Sequence, residues 1–175
     1  MRHTPENPLY IRNRPQETAE NILNRDFHAS EPNQIWVRRV FTELKYGASQ
    51  KAYLCAILDL YDESIRAFVL GHSNNNQLVF DTFELALQGT PGSRPLLHSD
   101  RGFQYTSHAF RHMIRVAGII QSMSRIGKCI DNGPIESFWG TLKCESYYLH
   151  KVTEFDELQL AIQKYMHFYN VERYQ

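Results

Sequence analysis

This sequence of 175 residues has few cysteines, no long apolar run and no excess of either charge. The three cysteines, Cys55, Cys129 and Cys144, lie far apart and are odd in number. They make neither a CxxC metal pair nor a disulfide framework, which points to a reducing, cytoplasmic setting. No apolar run approaches the ~18–20 residues of a membrane span, and the first residues lack a signal-peptide pattern. A glycine-rich phosphate loop is also missing, so a nucleotide cofactor is not expected. Nineteen acidic residues balance nineteen basic ones. At face value that balance argues against a nucleic-acid partner.

The residues present suit a folded domain: 42% are hydrophobic and 13% aromatic, enough to bury a sizeable core. The charges are segregated. From Arg101 to Ile130 there is no Asp or Glu, while Arg101, Arg111, Arg115, Arg125 and Lys128 give a net charge of +5, with His108 and His112 besides. Asp100 precedes this stretch, and Asp131 and Glu136 follow it. Such a run is ordinarily a solvated face, and with acids at both ends it also suits a phosphate-binding strip beside metal-holding carboxylates.

Residues 1–31 are polar and contain Pro5, Pro8 and Pro15, as a linker or the remnant of an upstream region would. A short helix is expected at 16–25. Residues 32–175 read as one core, cut short at its C-terminal end. Strands are expected at 35–46, 52–61 and 65–71, with a hairpin turn at Gly47. Short turns between them predict an antiparallel meander. A helix over 77–87, a strand over 95–99, a helix capped by Thr106 and ending near Val116, and a strand over 119–122 follow. A polar basic loop leads to a helix from Pro134 to about Tyr147, with Gly133 as its cap, and Thr153 caps a last helix over 154–170. The order predicts an α/β fold, a mixed five-stranded sheet flanked by helices.

Two carboxylates carry the chemistry. Asp100 ends a short strand, where functional groups gather in mixed sheets, and Glu136 opens a helix. Alone, each is ordinary: an Asp in a turn, a Glu favouring a helix dipole. Thirty-five residues separate them, and Lys143 follows Glu136 by seven, on the same helix face. A carboxylate pair suits Mg²⁺, and a neighbouring Lys suits a phosphate. Two metals ~3.5–4 Å apart clamp an in-line phosphoryl displacement, which needs at least two carboxylates and preferably three.

Several stretches carry a resemblance. They are His98-Ser99-Asp100-Arg101-Gly102-Phe103-Gln104-Tyr105, Gln121-Ser122-Met123-Ser124-Arg125, Asp131-Asn132-Gly133-Pro134-Ile135-Glu136-Ser137-Phe138-Trp139-Gly140-Thr141-Leu142-Lys143, and Phe168-Tyr169-Asn170-Val171-Glu172-Arg173. Over residues 16–175 the chain resembles the catalytic domain of retroviral-type integrases and of IS3-group insertion-sequence transposases, particularly the IS150-like branch. The resemblance implies an RNase H-like fold and a triad of acids (DDE) holding Mg²⁺ or Mn²⁺. It also implies cleavage and joining of DNA strands by attack of water or a 3′-hydroxyl, without a covalent intermediate or ATP. Asp100 becomes the second acid, Glu136 the third and Lys143 a DNA contact; Arg101, Arg125 and Lys128 are further candidates for binding DNA. The expected partners are transposon-end and target DNA, and a second copy or an intact transposase.

The resemblance breaks at the first acid. The family reads Trp-Val-Thr-Asp-Val-Thr-Glu in its first strand; this chain reads Trp36-Val37-Arg38-Arg39-Val40-Phe41-Thr42-Glu43, one residue longer. Arginine has no acceptor and repels a metal ion, but can pair with Asp100 or Glu136 and take the metal's place. Glu43 is ~13 Å along the strand, too far to substitute, while Asp59 on the neighbouring strand reads as structural but could lie near the site. The sequence therefore supports a transposase core impaired by loss of its first Asp. The alternative is an inactive remnant that binds DNA or pairs with an intact subunit. A zinc pair at His108 and His112 and a hydrolase triad at His98-Ser99-Asp100 are disfavoured by missing partners and by strand geometry. Phe138, Trp139, Leu142, Tyr165, Phe168 and Tyr169 read as packing residues.

Overall fold

A nearly continuous apolar run along residues 52–58 builds a central strand buried on both faces. In the computed structural model, which describes residues 18–127, 129–149 and 151–173, five strands form: β1 (Ile35–Tyr46), β2 (Gln50–Asp59), β3 (Ile65–Gly71), β4 (Leu96–Ser99) and β5 (Ile120–Met123). Their order is β3-β2-β1-β4-β5. The first three are antiparallel, and β4 and β5 run parallel to β1, as the element order predicts. Gly47, with φ +57, turns β1 into β2; a Cβ there would meet the Gln50 side chain.

Helices cover both faces. Leu54, Ala56 and Leu58 of β2 face α4 (Gly133–Glu145) and α5 (Phe155–His167), with Ile135, Phe138, Trp139, Leu142, Ile162, Tyr165 and Tyr169 in that layer. Cys55 and Ile57 face α1 (Asn76–Gly89) and α3 (His108–Val116), with Val79, Phe83, Phe110 and Ile114 opposite. This three-layer arrangement is the RNase H-like fold. Of the expected packing residues, Phe168 is exposed and the others are buried.

The extra residue of β1 is absorbed in one place. Arg39 pairs with Ala56 and Thr42 with Leu54, so three steps on β1 oppose two on β2, a β-bulge. The face of each residue inverts across it: Ile35 and Val37 share the α4 face with Leu44, whereas Trp36 lies in the opposite core with Phe41. Without the bulge, one extra residue would turn half the strand inside out.

Several boundaries differ from expectation. No helix forms in 18–25, the described part of the helix expected at 16–25. This segment instead lies along β5, where Met123 N–H donates to Glu20 O and the amides of Ile22 and Leu23 donate to Ser122 Oγ. Thr106 ends a one-turn helix, α2 (Phe103–Thr106), and Ser107 caps α3 by accepting from Phe110 N–H. Asn132, not Gly133, is the N-cap of α4, and Glu154, not Thr153, that of α5, in a capping box with Glu157. After His167 the last helix widens to a π turn (Phe168–Glu172). No helix among the described residues is long and apolar enough to cross a membrane.

Candidate functional site

The middle of β1, at Arg39, and the carboxyl end of β4 meet the N-terminus of α4 around an open cavity of about 480 Å³. Arg39, Asp100, Arg101, Ser124, Arg125, Asn132 and Glu136 line it. The parallel register ends at Arg38↔Ser99, so Arg39 and Asp100 come next, side by side. Asp100 closes a tight turn by accepting from Gly102 N–H at 2.9 Å. Glu136 is the fourth residue of α4, counted from the Asn132 cap.

Arg39 turns toward the acids. Its Nη1 is 3.4 Å from Glu136 Oε1, with both side chains partly exposed. Arg38 points to the other face and is completely buried. Its Nε donates to Tyr105 Oη at 3.0 Å and its Nη2 to Val79 O at 3.1 Å and Cys55 Sγ at 3.4 Å. The guanidinium lies 4.7 Å from the centre of the Tyr105 ring and 5.3 Å from that of Phe110, while Nη1 has no partner. Burial pushes the Tyr105 phenol well above its ordinary value, so it is neutral at physiological pH. Arg38 therefore has hydrogen bonds but, among the described residues, no counter-charge.

The floor of the site is polar and tightly bonded. His98 lies buried between β1 and β5, with Nδ1 2.9 Å from Ser122 Oγ and Nε2 3.2 Å from Ser124 Oγ. Ser122 Oγ already accepts two amides, so its proton goes to Nδ1, and Nε2–H donates to Ser124. Burial lowers the His98 pKa to about 4, so the ring is neutral. Asn132 Nδ2 donates to Arg38 O at 3.0 Å, which ties the α4 cap to β1, and its buried Oδ1 has no partner.

The structure brings Asp100, Glu136, Arg101 and Arg125 to one cavity. Arg101 Nε is bonded to Ser124 O at 2.7 Å. Lys143 does not line the cavity and sits further along α4. Lys128 lies outside the described residues. Asp59 is not near the site: it pairs with Trp36, three residues before Arg39, and is buried against Arg66, Asn33 N–H and Tyr61 N–H. Glu43, beyond the bulge, pairs with Lys51 at 3.0 Å.

Sequence reasoning missed Asp131 and Arg25. The buried Asp131 carboxylate accepts from Arg125 N–H, Nε and Nη2, from Arg25 Nε at 2.6 Å and from Asn21 Nδ2 at 3.0 Å. The Arg125 guanidinium, first among these donors, holds the Asp131 pKa far below the carboxylate range. Isolated acids flanking a basic stretch hinted at Asp131; nothing local marks Arg25, 106 residues away.

Comparison with known proteins bears on the family and the fold. Residues 29–129 and 117–174 each match an integrase core domain family. A transposase-like protein of Haemophilus influenzae is 41% identical over 157 residues, covering 90% of this chain and 72% of its own length. The putative transposase InsK for insertion sequence element IS150 of Escherichia coli is 37% identical over 158 residues, covering 90% and 55%. The HTLV-2 integrase catalytic core domain, solved with magnesium in a dimeric form, superposes with a TM-score of 0.63 at 19% identity, covering 83% of this chain and 92% of that one.

Proposed function

Because this chain belongs to the integrase core domain family, as an IS3-type DDE transposase domain, we propose that it is a DNA-handling transposase core whose metal-dependent strand cleavage and transfer are impaired. One observation carries this reading: Arg39 stands where the first acid is expected and lies 3.4 Å from Glu136, in the cavity that also holds Asp100. Asp100 and Glu136 are then the second and third acids. The metal implied by the family is Mg²⁺ or Mn²⁺, and the donors present do not fit a two-metal centre. Among the described residues no three His, Cys, Asp or Glu side chains gather, and Glu136 already faces a guanidinium. That guanidinium cannot lose its proton to become a ligand.

DNA binding makes no such demand. Arg101 and Arg125 at the cavity, Lys143 along α4 and, from the sequence, Lys128 supply cations for backbone phosphates, an interaction that weakens steeply with salt. The zero net charge is no obstacle, because the acids lie outside the 101–130 stretch.

The test is incubation of the purified chain with supercoiled plasmid and Mg²⁺ or Mn²⁺, beside a binding titration. Salt-dependent binding without nicking is expected; robust metal-dependent cleavage overturns the reading. A second reading, a subunit-pairing module, draws on a groove of about 590 Å³ between the end of α4 and α5, where Leu160 and Phe168 are exposed. Interference with an intact transposase on co-expression, lost in Leu160→Lys, tests it.

A further inference from the structure

Asp131 holds two arginines from distant parts of the chain. Its Oδ1 accepts from both Arg25 Nε, at 2.6 Å, and Arg125 Nη2, at 2.9 Å, so the two guanidinium groups are neighbours. Its Oδ2 accepts from Asn21 Nδ2, Arg125 N–H and Arg125 Nε. The carboxylate is thus saturated, and its side chain is fully buried, while the Arg25 and Arg125 side chains are 40% and 43% exposed. The unit carries two positive charges against one negative, with the negative charge inside. Arg25 uses only Nε in this unit and Arg125 leaves Nη1 unused, so N–H groups of both face solvent beside the cavity that Arg125 lines.

The backbone delivers Arg25 at a cost. Asn24 and Arg25 have φ of 45° and 66°, a left-handed pair without glycine, with Asn24 N–H donating to Asn21 Oδ1 at 2.7 Å. The amides of Ile22 and Leu23 clip the same segment to Ser122.

We infer that Arg25 and Arg125, fixed on the buried Asp131, form a preorganised seat for a phosphate of the DNA backbone at the rim of the cavity. Two guanidinium groups held by a third side chain present planar N–H donors with little rotamer freedom left to lose. This inference rests on the DNA-handling reading and adds the upstream segment to the surface that meets DNA.

The experiment measures binding of the full chain to a labelled mixed-sequence duplex by fluorescence anisotropy across a salt series in EDTA. Each lost phosphate contact lowers the slope of log affinity against log salt by about 0.9. Arg25→Met is expected to lower the slope by about one, Arg25→Lys to retain it, and Lys164→Met on α5 to leave it unchanged. Thermal melting monitors folding of each variant. An unchanged slope in a folded Arg25→Met chain overturns the inference and leaves a purely structural clasp. Should Arg25→Met fail to fold, phenylglyoxal labelling of the unaltered chain decides: DNA protection of Arg25 and Arg125 supports the seat, and equal labelling with and without DNA overturns it. If the unaltered chain does not bind DNA at all, the DNA-handling reading fails first, a result distinct from an unchanged slope.

Discussion

Replacing Arg38 by Met is expected to stabilise the chain by about 2 kcal/mol, the balance of opposing terms each of about 1–4 kcal/mol. Arg38 is fully buried, has no counter-charge among the described residues and leaves Nη1 without a partner. Leaving a buried donor unmade costs about 1–3 kcal/mol. Replacing even a buried ion pair by apolar groups of similar volume is often neutral or gains about 1–4 kcal/mol, and Arg38 lacks the partner charge among the described residues. Against this, the stack on Tyr105 and Phe110, at 4.7 and 5.3 Å, is worth about 2 kcal/mol in a desolvated site. Tyr105 Oη also loses the N–H that Arg38 donates, about 1 kcal/mol. Methionine keeps the unbranched stem and fills irregular space. For a chain of this size 1 kcal/mol moves Tm by about 2–4 °C, so a rise of about 5 °C is expected. Urea titration at constant m-value measures the same quantity. A loss of stability of about 1 kcal/mol or more would refute the reasoning, because it would mean that the aromatic box more than offsets desolvation of the cation.

Two further outcomes follow from the polar contacts. His98 is held neutral by burial, with its pKa lowered to about 4 from 6.5. The unfolded chain takes up that proton first, so stability is full above pH 6.5, falls as pH drops and loses about 3 kcal/mol by pH 4. Urea midpoints across this range check it, and a flat profile, unchanged by His98→Asn, would count against the assignment. Asp59→Ala removes a buried carboxylate that Arg66 grips at 2.7 and 2.9 Å, and should cost about 3 kcal/mol. Its DNA-binding salt slope should stay unchanged, and a changed slope would place Asp59 at the DNA surface after all.

What was legible in the sequence depended on how local its cause is. The strands of the meander follow from runs of β-branched and aromatic residues, and the mixed sheet from their order. The insertion in β1 is visible as one residue too many, but only the pairing shows that a bulge between Arg39 and Thr42 restores the phase. Cap positions slipped by one residue because neighbouring residues compete for the role: Thr106 and Ser107 can both cap, and the extended ψ of 145° at Ser107 decides it. The cavity was legible at Asp100, Glu136 and the misplaced Arg39. Its Asp131 clasp was not, since a contact between residues 25 and 131 is a product of tertiary folding and has no periodic signature.

The central claim, that Arg39 has displaced the metal, is tested most directly by calorimetric titration of Mn²⁺ into two proteins. One is the unaltered chain; the other carries Arg38→Thr and Arg39→Asp with Val40 deleted, which removes both the guanidinium beside Glu136 and the extra residue of the bulge. No metal binding by the unaltered chain and recovery of binding in the variant is the predicted result. Two Mn²⁺ ions bound by the unaltered chain would contradict it.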